Sequence, residues 1–213
     1  MSDVEPQPLR AAQSGLPVSL PSSSVKPRPV GSSRAPLVVI DRREQDPLPF
    51  SRLKTRPGTL ATGDYSILGT EELFAVERKT LPDLVACCAG ERERFSRELH
   101  RLRGYRFKRL VVIGSEAEIL AGQYRSLVSP RAALATLYCF EVRFDLPFVF
   151  CADALQAGRL IERWALWFAR ELYKNANGLL LGAGEIRNAR SSKIGRSNKH
   201  ETDQYRHIDM LLP

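Results

Sequence analysis

The chain has 213 residues, 43% of them apolar, which is enough for one substantial core with tails. Its formal net charge of +8 and pI near 9.6 favour a polyanionic partner over a neutral metabolite or an acidic protein surface. No run of about 18 apolar residues and no signal-peptide pattern occur, so the expectation is a soluble, intracellular protein with no membrane partner.

Residues 1–35 are rich in Pro and Ser and carry no hydrophobic period, with Pro6, Pro8, Pro17, Pro21, Pro27 and Pro29 as punctuation. They read as a disordered leader. The first strand is predicted at 37–41, where Leu37-Val38-Val39-Ile40 ends in the charged cluster Asp41-Arg42-Arg43-Glu44. Further strands are predicted at 64–69, 73–79, 109–113 and 147–151. Helices are predicted at 81–88, 91–103, 130–143 and 153–174. Thr80-x-x-Asp83 with Pro82 has the form of a capped helix start, and Ser129-Pro130 is another. The last helix carries Leu160, Ile161, Trp164, Leu166, Trp167, Phe168 and Leu172 on one broad side. Residues 176–213, with Asn-Gly, Gly-Ala-Gly and a polar stretch, read as a mostly disordered tail. Strands and helices interleaved in this way predict an α/β domain with a central mixed sheet flanked by helices.

Four cysteines, Cys87, Cys88, Cys139 and Cys151, have no C-x-x-C pairing and sit in apolar contexts. They read as reduced core thiols. The three histidines show no metal-ligand spacing.

The chemistry concentrates in Glu77-Arg78-Lys79, at the end of the apolar run Leu73-Phe74-Ala75-Val76. On a strand, positions two apart share a face, about 6.6 Å apart along the chain. Glu77 and Lys79 should therefore project together, with Arg78 on the opposite side. Asp64 follows Gly63 at the start of another strand, and Asp41 ends a third. Three carboxylates at or near strand ends make a converging site. Asp64, Glu77 and Asp41 are the candidate metal ligands, and an oxygen-only set suits Mg²⁺ or Mn²⁺. Lys79 is the candidate for steadying the attacking water or the developing negative charge. Each residue also has a plainer reading. Asp41 has an N-cap or an ion pair with Arg42 or Arg43, Glu44 a loop acid, and Lys79 a strand-end lysine reaching solvent. Asp83 reads as structural, because a carboxylate at the third helical position suits the positive helix end. Arg94, Arg97 and Arg101 fall at i, i+3, i+7 and form a basic ridge opposite Phe95, Leu99 and Leu102. That ridge is either a DNA-backbone contact or a plain surface helix.

The order Asp41-x-Arg43-Glu44, Gly63-Asp64-Tyr65, Glu77-Arg78-Lys79-x-x-x-Asp83 resembles the nuclease domain of the XPF-type structure-specific endonucleases. That family belongs to the restriction-endonuclease-like PD-(D/E)XK group. The resemblance covers about residues 36–175 and extends to an arginine, Arg94, opening the basic helix. It implies a single restriction-endonuclease-like domain and a metal-dependent endonuclease that cuts branched or structured DNA in repair or recombination. It implies catalytic roles for Asp41, Asp64, Glu77 and Lys79, with Glu44, Arg78 and Asp83 in support. Many members append a tandem helix-hairpin-helix module, which the stretch beyond Asn175 is too short to hold. A stand-alone nuclease domain is therefore expected, acting as a homodimer or with a partner subunit that supplies substrate selection. Such domains occur in bacterial and mobile-element proteins, which would make it cytoplasmic, or nuclear in a eukaryote. The alternatives are a non-catalytic DNA-binding or scaffold subunit, and a related enzyme acting on RNA or in restriction.

Overall fold

The β-branched run after Leu37 forms strand β1 (Val38–Asp41), and Thr55–Gly58 forms β2 parallel to it. β3 (Tyr65–Ile67) runs antiparallel to β1, and β4 (Phe74–Thr80) antiparallel to β3. The chain then enters helices α1 (Leu81–Cys88) and α2 (Arg92–Leu102) before β5 (Phe107–Ile113), which lies parallel to β4. Helices α3 (Glu116–Leu120) and α4 (Pro130–Phe144) precede β6 (Phe148–Cys151), and α5 (Ala154–Asn188) follows. The six strands make one mixed sheet in the order β2-β1-β3-β4-β5-β6. The computed structural model describes residues 35–188, and side chains as far as 180. The expected leader up to residue 34 and the expected tail from 189 lie outside them.

Strand alternation splits the core into two layers. Ala75, Leu110 and Val112 face α1, α2 and α4, where they pack with Leu84, Phe95, Leu99, Leu137 and Phe144. Val76, Phe74, Val111 and Tyr65 face the other way, onto Ile161, Ala165 and Phe168 of α5. β4 therefore serves both layers, one residue at a time.

Every predicted strand and helix is present, and the differences have local causes. β2 was not expected. Its sequence Thr-Arg-Pro-Gly lacks apolar alternation, and Pro57 is tolerated because the strand is a sheet edge. Helix α3 is too short to leave a periodic signal, but Ser115 caps it by accepting from the Glu118 N–H. β5 begins two residues before its predicted start, because Lys108 and Arg109 are accommodated inside the sheet. Lys108 reaches the Asp145 carboxylate at 2.7 Å, and the Arg109 guanidinium lies 4.6 Å above Phe107. These two bases belong to the fold rather than to a basic ridge. α5 continues past its predicted end at 174 to Asn188. No proline falls within residues 175–188, and each of Gly178, Gly182 and Gly184 costs a helix only about 1 kcal/mol. The beginning of the expected tail is thus helical. Cys87, Cys88 and Cys151 are buried free thiols, but Cys139 is exposed on α4.

The segment between β1 and β2 is fastened to α5 at two points one helical turn apart. Glu162, 2% exposed, accepts the backbone N–H groups of Ser51, Arg52 and Leu53 on Oε1 at 2.8, 2.6 and 2.9 Å. At Gly158, a Cβ would fall 2.0 Å from the Pro49 carbonyl oxygen. That neighbour is backbone, so it cannot swing aside. Gly158→Ala should therefore destabilise the protein by about 1–3 kcal/mol, even though alanine is the better helix former. Chemical denaturation checks this, and a midpoint at or above that of the wild type would refute it.

Candidate active site

The site forms along the second half of β4, past its pairing with β3 and still paired with β5. Glu77 and Lys79 point into the layer made with α1 and α2, as their spacing predicts. Glu77 is 1% exposed. Its Oε1 accepts a hydrogen bond from the Lys79 ammonium, and its Oε2 is buried without a hydrogen-bond partner. The Lys79 ammonium also lies 5.2 Å from the ring centre of Phe95 on α2. A cation between a carboxylate and an aromatic face is held in one position.

Gly63 brings Asp64 against this strand. It adopts φ +78°, and a Cβ there would stand 3.2 Å from the Val76 carbonyl oxygen. The Asp64 N–H donates to that oxygen at 2.9 Å, and Asp64 Oδ2 accepts the Arg78 N–H at 2.7 Å. Asp64 is thereby tied to the residue that follows Glu77. Burial raises Asp64 to about 6, against the pull of the Arg78 N–H and the Lys79 charge. Burial, then the Asp64 charge, pushes Glu77 well above the usual carboxylate range. Burial would lower Lys79, but the Glu77 carboxylate overrides it and holds the ammonium protonated.

The Asp41-Arg42-Arg43-Glu44 cluster divides its work. Asp41 accepts from the Arg43 N–H (2.9 Å), Arg43 Nε (2.6 Å), Arg43 Nη2 (3.1 Å) and the Leu60 N–H (2.7 Å). Burial acts to raise its pKa, but these donors and the Arg43 charge hold it below the usual range. Its oxygens are thus engaged in the turn after β1, as the ion-pair alternative anticipated, and Asp41 is not among the residues lining the cleft. Glu44 and Asp46 face the cleft and hold Arg78, whose Nη1 is 3.7 Å from Glu44 and whose Nη2 is 2.9 Å from Asp46. Asp83 forms the expected cap with Thr80, whose hydroxyl donates to Asp83 Oδ2 at 2.7 Å.

The open cleft between these groups has a volume of about 640 Å³ and is lined by Glu44, Asp46, Asp64, Arg78, Lys79, Asp83, Glu91 and Arg94 among others. Of the three arginines predicted to form the ridge, only Arg94 reaches it, paired with Glu91 at 2.5 Å. Arg97 and Arg101 are exposed farther along α2. The sequence reading gave no role to Asp46, Glu91 or Glu98. Glu98 is half-buried on α2, and its charge acts on Asp64, Glu77 and Lys79. Its one available signal was its place four residues after Arg94.

Asp64 and the free Oε2 of Glu77 offer oxygen-only donors, which fit Mg²⁺ or Mn²⁺. Among the described residues, no three Asp, Glu, His or Cys side chains converge closely enough to ligate one ion. None of the helices described is long and apolar enough to cross a membrane.

A family model described as the ERCC4 domain matches residues 40–163, from β1 into α5. The chain belongs to this family. No curated protein matches it. Among solved structures, XPF from Aeropyrum pernix matches at 21% identity with a TM-score of 0.51, over 70% of this chain and 73% of that one. XPF from Aeropyrum pernix in complex with DNA matches at 23% identity and a TM-score of 0.51, over 64% of this chain and 66% of that one. At these identities the likeness establishes the fold, a single α/β domain with a mixed sheet between helices.

Proposed function

We propose that the protein is a Mg²⁺- or Mn²⁺-dependent DNA endonuclease that hydrolyses phosphodiester bonds in branched or structured DNA, in repair or recombination. The observation that carries this reading is the buried, unpartnered Oε2 of Glu77, which lies behind the cleft surface beside Lys79, with Asp64 and Lys79 themselves lining the cleft. A buried carboxylate oxygen without a partner is costly, and a bound cation removes that cost. Membership of the ERCC4 domain family supports the substrate class, as does the similar XPF structure in complex with DNA.

Asp64 and Glu77 are the residues that would hold the ion. When bound, a divalent cation polarises a phosphoryl oxygen and lowers the pKa of water. Lys79 keeps its proton and supplies fixed positive charge where negative charge grows on the phosphoryl group. Arg78 is clamped by Glu44 and Asp46 and gives the cleft a fixed cationic wall. Asp41 acts here through the turn that carries Glu44, as a positioning residue. The basic face of α2 would meet the DNA backbone, through Arg94 at the cleft and Arg97 and Arg101 beyond it. A second copy of the chain or a partner subunit would add substrate selection.

Cleavage of a panel of flaps, forks, junctions and linear duplexes with Mg²⁺, Mn²⁺ or EDTA tests the reading. DNA binding without cleavage under every condition would instead establish the non-catalytic alternative. The role of α2 has a separate readout. Each phosphate contact contributes about 0.9 to the slope of log affinity against log salt on duplex DNA. Replacing Arg97 and Arg101 by alanine together should lower the slope by roughly two. An unchanged slope would move the DNA contact elsewhere.

A further inference from the structure

Helix α2 packs on the sheet face toward which Glu77 and Lys79 point, and its Phe95 ring lies beneath the Lys79 ammonium. Glu98 follows Phe95 by three residues and Arg94 by four. These spacings put it on the same side of the helix as both, one turn beyond Arg94 and outside the residues that line the cleft. Its natural partner at this spacing is Arg94, but Arg94 pairs with Glu91. Glu98 is half-buried and is left without an ion pair among the described residues.

A glutamate held partly out of water near two other carboxylates is unfavourable unless something positive joins them. Lys79 is already committed to Glu77 Oε1. Asp64, Glu77 and Glu98 all act on the single Lys79 ammonium, and Asp64 and Glu98 also on the Arg43 guanidinium, which is taken up by Asp41. Glu77 Oε2, buried and unpartnered, marks independently where a further cation is missed. Glu98 does not converge with Asp64 and Glu77 closely enough to make a third ligand.

We propose that Glu98 is a positioning residue of this centre, drawing a divalent cation onto Asp64 and Glu77 and engaging its hydration shell from beyond ligand distance. The inference rests on the proposed metal-dependent reading and adds a residue to it. It explains why a basic helix that faces a polyanion keeps an acid on its inner side. Charge attraction through a partly solvated gap acts mainly on cation affinity.

The test is Mn²⁺ binding to the full chain without DNA, followed by calorimetry, for wild type, Glu98→Gln, Glu98→Asp and Glu77→Gln. Thermal denaturation in EDTA accompanies it. Glu98→Gln should weaken Mn²⁺ by about tenfold. It should also raise the metal-free melting temperature, because a like charge has been removed. Glu98→Asp should recover part of the affinity, since it restores the charge. Wild-type affinity in Glu98→Gln, with binding lost in Glu77→Gln, would overturn the role of Glu98 and leave the proposed centre intact. A Glu98→Gln protein that melts earlier and binds Mn²⁺ normally would reduce Glu98 to a structural residue. A wild-type protein that binds no Mn²⁺ would overturn both readings.

Discussion

Glu77→Gln is expected to lower metal-dependent cleavage by about a thousandfold or more while the protein stays folded. Substitutions that merely support a metal ligand commonly cost 10–100-fold, so the loss of a ligand should exceed that. Glutamine keeps the volume of the buried side chain and still offers Lys79 an oxygen at the Oε1 position. The change is one of charge rather than shape. Asp64→Asn should behave alike, and both variants carry a signature that is independent of catalysis. In metal-free protein, Asp64 is raised to about 6 and Glu77 well above its usual range. Unfolded carboxylates titrate near 4, so the folded state holds these protons longer. Stability is thus fully present below about pH 4 and declines as pH rises through about 6. In EDTA at neutral pH, Asp64→Asn should melt above the wild type, by about 2–4 °C for each ~1 kcal/mol relieved. The two curves should converge near pH 4. A well-folded Glu77→Gln enzyme that cleaves at the wild-type rate would remove Glu77 from the chemistry. A wild-type melting temperature independent of pH in EDTA would contradict the buried-carboxylate account.

Glu162→Ala should be the most destabilising substitution outside the apolar core, although it lies away from the cleft. Three consecutive backbone N–H groups, of Ser51, Arg52 and Leu53, converge on one Glu162 oxygen. Alanine leaves those donors without an acceptor, and each unsatisfied buried group costs about 1–3 kcal/mol. Part of that is recovered where water can enter, so a total of about 3–5 kcal/mol is expected. The melting temperature should fall by about 10 °C or more. Amide exchange at Ser51–Leu53 should accelerate far more than exchange in β5, which distinguishes loosening of this segment from general unfolding. Activity should suffer as well, because the same segment carries Glu44 and Asp46, which hold Arg78. A loss below about 1 kcal/mol would mean that the Glu162 contacts contribute little.

The parts of this molecule that were legible in the sequence are those written as local period. The apolar runs before Asp41 and before Glu77, the Pro82 and Pro130 helix starts and the broad face of α5 lie where the pattern predicts, except that Trp167 is exposed. The shared side of Glu77 and Lys79 followed from strand alternation alone. The illegible parts depend on partners distant in sequence. The ion pair of Asp41 with Arg43 was among the local alternatives, but the Leu60 N–H that also occupies this carboxylate was not. Lys108 and Arg109 look like a continuation of a basic surface until Asp145, Phe107 and Trp164 are found beside them. Glu162 is one more charge on a helix until the loop folds onto it, and Glu98 one more acid in a basic run until α2 packs over β4. β2 escaped because an edge strand needs no apolar face and can carry Pro57.

β4 deals its residues alternately to the two layers, Ala75, Glu77 and Lys79 to one and Val76 and Arg78 to the other. This makes the strand a comb whose teeth cannot be counted differently. One residue gained or lost between Phe74 and Glu77 would exchange every later tooth. Arg78 would be driven against Phe95, and Glu77 into the wall now made by Glu44 and Asp46. A point change in this strand alters one function, whereas a slip of a single place alters all of them together. Insertions and deletions should therefore be tolerated in the connections between strands and not within β4.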